Sequence, residues 1–373
     1  MSVDFKHFDE LLSPPPYGVA PEEKSSRLSL AMKEVTQFHF ENCAPYKKLC
    51  TVRNFDPYGE YGLEDIPYLP TSLFKDILLI SVPQDKVFRE ISSSATTSGR
   101  PSRVGLDRET SRRQSKCFNK VTVDRLGAER RKFVVLDEPS TLERTSSVSA
   151  RASTIRSLLF CSSAAVACMA MDKNNDLSVD MEILDTQLRE AEATGEPLVI
   201  FGFTFILYVH VLQQLKKLGR TYKLSNAKIV HIGGWKKLEA QSVTPEVLAQ
   251  MCSEVFSVKP SDVIDFYGFT EQSGMIYPTC EKGYRHMPTW GEVIVRDPMS
   301  MAVLPAGESG LLQFITPIET SYPGHSILTE DLGMIVSKSD CGCGRHGTAF
   351  KVIGRAPNSE VRGCGDIMAE KFA

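Results

Sequence analysis

The chain has 373 residues, of which 42% are apolar and 24% charged, with a net charge of −3. That composition supports a sizeable core in one large domain or two ordinary ones, and the slightly acidic balance argues against nucleic acid as a main partner. The longest apolar run, Leu198 to Val209, is too short to span a bilayer and is interrupted by Thr204, and residues 1–6 lack a secretory pattern.

Ten cysteines scattered along the chain favour free thiols, a metal site or a catalytic thiol over a disulfide framework, with the cytoplasm as the expected compartment. Residues 1–24, with Pro14-Pro15-Pro16, read as an irregular arm. The spacing of Leu28, Met32, Val35 and Phe38 predicts a helix over 25–42, and 44–75 reads as turn-rich. The stretch Ser92 to Ser102 is dense in hydroxyls. Its hydroxyls and backbone N–H groups can form an anion-binding concavity to which Arg100 adds charge, although a flexible Ser/Thr loop is the plainer reading.

A helix is expected from Arg108 to Leu126, then a strand over Phe133–Asp137 and a small-residue core helix over 157–171. An amphipathic helix follows at 181–194, a buried strand over Leu198–Phe203 and a helix from Thr204 to Leu218. Lys228–Ile232 reads as a strand running into the Gly233-Gly234 turn, and 244–257 as a helix. The strand at 262–266 then leads into Tyr267-Gly268-Phe269-Thr270-Glu271. An aromatic that can stack on a purine, a glycine, a hydroxyl and a carboxylate able to hold Mg²⁺ suit a nucleotide at a strand end; a solvated loop exit is the bland alternative. Alternating strands and helices describe an α/β sheet, and short strands from about Trp290 onward describe a β-rich part.

The hydroxyl loop, Gly233-Gly234, Tyr267-Gly268-Phe269-Thr270-Glu271, Thr329-Glu330-Asp331-Leu332-Gly333 and Ile353-Gly354-Arg355 occur in one order. Together they resemble the adenylate-forming superfamily of acyl-CoA synthetases. Within it the chain looks most like the acyl-protein synthetases of bacterial luminescence fatty acid reductase, with features of phenylacetate–CoA ligases. The resemblance implies an α/β adenylate-forming domain of stacked sheets plus a smaller β-rich subdomain, without the superfamily's usual C-terminal domain. The expected divisions are an arm and helical lead-in (1–75), the adenylate-forming core (76–290), the β-rich subdomain (291–355) and a tail (356–373).

The same resemblance implies ATP and Mg²⁺ as cofactors and assigns roles by position. Ser94, Thr96, Thr97, Ser98, Gly99 and Arg100 would hold the ATP phosphates, and Gly233 and Gly234 would line the carboxylate and adenine side. Tyr267, with Gly268 beside it, would pack on adenine. Thr270 would contact the α-phosphate and Glu271 the Mg²⁺, while Asp331 and Arg355 would hold the ribose or phosphate. Lys236 is one candidate to replace the adenylating lysine of the C-terminal domain. Here the usual Ser-Gly-Thr-Thr-Gly loop reads Ser94-Ala95-Thr96-Thr97-Ser98-Gly99.

Cys364 lies between Gly363 and Gly365 with Arg362 nearby, a setting that exposes a thiol and favours its thiolate, an acyl acceptor from an adenylate. The luminescence enzymes similarly end soon after an acyl-accepting Gly-Cys. The expected function is ATP-dependent activation of a carboxylic acid, a fatty acid on this resemblance, and acyl transfer through Cys364 to a partner such as a reductase or carrier protein. Direct transfer to coenzyme A, or a non-catalytic scaffold subunit, are the alternatives. Finally, Cys280, His286, Cys341 and Cys343 amount to three thiols and an imidazole, a closed structural Zn²⁺ set; reduced cysteines and a surface His are the alternative. Phenylacetate–CoA ligase-like proteins carry similar residues. His231, just before the Gly-Gly turn, can approach an acyl pocket or belong to the core, and His325 reads as a loop residue.

Overall fold

The computed structural model describes residues 5–93, 101–143, 148–171, 177–234 and 242–356. Its centre is a six-stranded sheet in the order Tyr277–Pro278, Val263–Tyr267, Ala227–Ile232, Leu198–Phe203, Arg131–Leu136, Ser162–Ala167. All pairings are parallel except that of Tyr277–Pro278 with its neighbour. These strands are apolar because both faces are covered. One face sets Val199, Phe201, Ile264 and Phe266 in a core shared with Phe118 and Val121 of the Arg108–Leu126 helix. The other sets Val134, Ile200 and Ile229 against Leu184 and Leu188 of the Met181–Thr194 helix and Leu248 of the Pro245–Phe256 helix. Each such side chain contributes on the order of 1.5–3 kcal/mol on burial.

A second sheet packs against the first core face in the order Arg285–His286, Ala349–Arg355, Ser326–Ser337, Ser309–Ile315, Glu292–Arg296. It is antiparallel, and Leu69–Pro70 adds to Ser326–Ser337 in parallel. Phe314, Ile315 and Phe350 carry its buried face into the shared core. A smaller sheet joins Arg103–Leu106, Arg89–Ser92 and Val148–Ser149.

The Arg108–Leu126 helix begins and ends where the sequence predicts. Asp107 caps it by accepting from the Thr110 amide at 2.7 Å, and Gly127 stops it at φ +91°. The helix expected over 157–171 is not formed. The Ala150–Leu158 helix enters only its first two residues, a 3-10 turn follows at Leu159–Cys161, and Ser162–Ala167 and Met169–Met171 are strands. Runs of Ala, Ser, Val and Met carry no helical stripe, and pairing Val166 with Val134 on the sheet edge satisfies the backbone instead. The arm expected at 1–24 contains a helix, Lys6–Leu11, held by Phe8 and Leu11, and the turn-rich stretch contains another, Ala44–Val52. The helix expected from Thr204 to Leu218 passes through a π-helical segment, Ile206–Leu212, before Gln213–Lys217. Among the described residues, no helix is long and apolar enough to cross a membrane.

Candidate active site

Three parallel strands end side by side, with Ile232 paired to both Phe203 and Phe266. Carboxyl ends of adjacent parallel strands are where open α/β sheets present ligand-binding loops. The chain leaves the middle strand at Gly233, whose φ of +80° suits only a residue without a side chain. Opposite it, Thr204 donates its hydroxyl proton to the Gly233 carbonyl at 2.5 Å. That commitment makes His231 Nδ1–H the donor in the 2.9 Å contact with Thr204 Oγ1. His231 is buried, and burial lowers its pKa, so the ring stays neutral.

At the end of the neighbouring strand the Tyr267 hydroxyl donates to Asp331 Oδ2 at 2.6 Å. Its ring packs on Phe314 and Tyr277, with centroids 5.8 and 6.1 Å away, and the Arg285 guanidinium lies 5.9 Å from its centroid. Arg285 is itself paired with Asp265. Burial raises the Asp331 carboxyl, while the Tyr267 hydrogen bond and the Arg355 charge pull it back. Arg355 Nε stands 3.8 Å from Asp331 Oδ1, and its Nη1 3.7 Å from Glu330 Oε2, with the side chain largely exposed.

Thr270 and Glu271 sit on a single tight turn, Thr270–Gln272, and both are buried. Burial raises the Glu271 carboxyl; the Ser102 hydroxyl and the Lys75 charge act in the opposite sense. The turn is fastened to the Ser309–Ile315 strand and to the 316–325 loop. Gln272 donates to the Phe314 and Gly324 carbonyls at 3.2 and 2.8 Å, and Tyr322 donates to the Glu271 carbonyl at 3.0 Å. These bonds hold the backbone of the turn that carries Glu271.

The structure thus brings Tyr267, Asp331 and Arg355 into contact and sets Thr270 and Glu271 on the following turn, with Gly233 and Gly234 at the adjacent strand end. Ser94, Thr96, Thr97, Ser98, Gly99, Arg100, Lys236 and Cys364 lie outside the described residues. The base of the hydroxyl loop is described: the Ser93 amide donates to the Ser102 carbonyl at 3.0 Å, and the Ser102 amide to Ser93 Oγ at 2.9 Å. Sequence reasoning missed Lys75 and Arg285, which reach the site from distant parts of the chain without a local signal. His325, expected in a loop, does lie in one, just before the Ser326–Ser337 strand, and is buried there, stacked on His39 with centroids 4.6 Å apart and Nε2 3.0 Å from the Tyr46 hydroxyl.

At the Arg285–His286 edge of the second sheet, Cys280, His286, Cys341 and Cys343 bring their ligand atoms within 4.8 Å of one another. The Cys280 and Cys341 sulfurs are 3.7 Å apart, and His286 Nε2 lies 3.1 and 3.4 Å from the Cys341 and Cys343 sulfurs. A disulfide needs about 2 Å, whereas tetrahedral zinc with bonds of about 2.3 Å to sulfur separates its thiolates by about 3.8 Å. The observed spacing fits the zinc geometry. Burial and the neighbouring thiols push the Cys341 thiol up to about 12, a crowding that a divalent cation would relieve. Arg345, bonded to Asp124 at 2.6 Å and to Glu281, ties this corner to the Arg108–Leu126 helix.

A sequence model of the family described as "Acyl-protein synthetase, LuxE" matches residues 3–373. The "Long-chain-fatty-acid--luciferin-component ligase" of Vibrio harveyi is 24% identical over 355 residues, 94% of this chain and 89% of that protein. The protein of the same name from Aliivibrio fischeri is 23% identical over 356 residues, 93% of this chain and 89% of that one. Among solved structures, an open conformation of 2-hydroxyisobutyryl-CoA ligase with 2-HIB-AMP and CoA superposes with a TM-score of 0.65 at 16% identity, covering 88% of this chain and 75% of that one. The same ligase in its thioesterification state gives 0.66 at 15%, covering 96% and 73%. At such identities the structural likeness speaks for the fold.

Proposed function

From the premise that this chain belongs to the acyl-protein synthetase (LuxE) family, we propose that it activates a fatty acid and hands the acyl group to a thiol of its own. The enzyme is an ATP-dependent acyl-adenylate-forming ligase. The observation that carries the assignment of its site is the contact of Tyr267 with Asp331 at the mouth of three strand ends, one turn before the buried Thr270–Glu271 pair. Tyr267 then offers adenine a ring face beside the Gly233-Gly234 turn, and Asp331 with Arg355 takes the ribose hydroxyls. Thr270 reaches the α-phosphate, Glu271 holds Mg²⁺, and the 94–100 loop with Arg100 takes the outer phosphates. Lys236 lies beyond Gly234 and supplies positive charge to the reacting phosphate.

The substrate carboxylate attacks the α-phosphorus and pyrophosphate leaves. Positioning and charge stabilisation dominate such a step. The Cys364 thiolate then attacks the acyl carbonyl, expelling AMP and leaving a thioester that a partner thiol or reductase takes up. The Cys280–His286–Cys341–Cys343 set holds a structural zinc. It has no open position for chemistry and pins the end of the second sheet.

Pyrophosphate release across fatty and aryl acids, with and without coenzyme A, tests this reading. Release that depends on a fatty acid and not on coenzyme A supports it; strict dependence on coenzyme A replaces transfer to Cys364 with a ligase acting on the free thiol cofactor.

A further inference from the structure

A run of polar side chains joins the three adjacent strand ends on a face of the sheet that is otherwise apolar. Ala227 and Ile229 of the Ala227–Ile232 strand sit in the core on that face, and strand alternation puts His231 beside them. His231 is 6% exposed and pairs in register with Asp265 on one side and Gly202 on the other. An apolar side chain would fill that place without needing partners. The imidazole instead gives its Nδ1 proton to Thr204 Oγ1 at 2.9 Å, and Thr204 gives its own to the Gly233 carbonyl at 2.5 Å. Asp265 Oδ1 stands 3.8 Å from the same ring nitrogen and favours the proton there, and Asp265 is paired in turn with Arg285.

This run ends on the Gly233–Gly234 peptide. A glycine at φ +80° can turn its peptide over, and no backbone group among the described residues pairs with this one. The Thr204 hydroxyl therefore sets its orientation. Thr204 has a second acceptor within reach, the Ile232 carbonyl at 3.4 Å. An imidazole N–H aimed at Oγ1 turns the hydroxyl proton outward, to Gly233. A trans peptide sets its N–H opposite its C=O, so tying this carbonyl to Thr204 points the Gly234 N–H away from Thr204, as a free donor among the described residues.

We propose that His231 is a positioning residue for acid activation: acting through Thr204, it holds the Gly233–Gly234 peptide with its N–H presented to the carboxyl oxygen of the acid. The inference rests on the acid-activating reading above, which puts the carboxylate along this turn. Carboxylate and hydroxyl approach the same ring nitrogen, and the hydroxyl proton is committed to a carbonyl, so Asp265, His231 and Thr204 are no hydrolytic triad.

Pyrophosphate release by the full chain with decanoate and with hexadecanoate tests this, with thermal midpoints measured alongside. His231→Leu fills the space and donates nothing, so its kcat/KM for the acid should fall about tenfold or more. His231→Asn carries an amide N–H where Nδ1 stands and should recover most of that loss. Thr204→Val should behave like His231→Leu, and Thr204→Ser like the wild type. The double variant of His231→Leu with Thr204→Val should be no worse than the poorer single one, because both act through one contact. A histidine that only filled the core would gain nothing from asparagine, and its loss of activity would follow the thermal midpoint. Wild-type kcat/KM in His231→Leu, equal impairment in His231→Asn and His231→Leu, or single losses that multiply in the double variant overturns the inference while leaving acid activation standing. Should His231→Leu fail to fold, Thr204→Val against Thr204→Ser decides in the same way. No release by the wild type with either acid overturns the acid-activating reading and this inference with it.

Discussion

The Tyr267 hydroxyl and Asp331 Oδ2 meet at 2.6 Å, bonding the end of the Val263–Tyr267 strand to the Ser326–Ser337 strand of the other sheet. This one bond sets the aromatic and the carboxylate assigned to adenine and ribose at a fixed separation. A hydrogen bond to a charged group contributes on the order of 1.5–3 kcal/mol. Asp331→Ala removes both that bond and the assigned ribose contact, so its KM for ATP should rise about tenfold or more, with the smaller rise in Tyr267→Phe. Steady-state kinetics with ATP varied measures both.

Glu271 sets a pH dependence. Burial raises its carboxyl above the ordinary range. Holding Mg²⁺ needs the ionised form, so the acid limb of pyrophosphate release should lie above the usual carboxylate range. Linkage gives the opposite sign for stability without ligand. The folded chain holds this proton more tightly than the unfolded one, so stability falls as pH rises from the unfolded pKa through the raised folded value. Glu271→Gln should abolish most activity and flatten that fall. Denaturant midpoints of both proteins across this window read the stability effect.

The cysteine–histidine cluster predicts bound metal. Purified untagged protein should carry about one zinc per chain, and Cys343→Ser should lose it, since a structural site needs all four ligands. Removing a ligand leaves the buried Cys280 thiol, the half-buried Cys341 thiol and an imidazole without the cation, so the thermal midpoint should drop by several degrees while the wild type responds similarly to a strong chelator. Elemental analysis and thermal melts check both.

Elements with a clear period or a cap were legible in the sequence. Asp107 and Gly127 bound one helix, Asp180 and Gly195 bound another, and both occupy the predicted residues. The strand into Tyr267 and its companion at Gly233 were visible because apolar runs end abruptly in glycine. Residues 162–171 were misread because a small-residue run suits either structure and the sheet edge decided it. The cysteine–histidine cluster was legible because Cys-x-Cys and the Cys280–His286 pair are each local. Lys75 and Arg285 were not legible as site neighbours. Each approaches the 265–274 region across more than 10 residues of chain, where only the fold sets proximity.

The most direct test is mass spectrometry of wild type and Cys364→Ala after incubation with ATP, Mg²⁺ and an acid that supports pyrophosphate release. The account predicts an acyl group on the wild type that hydroxylamine removes. In the variant it predicts acyl-adenylate without acylated protein. An acyl group on the variant, or no acyl-adenylate from either protein, would contradict it.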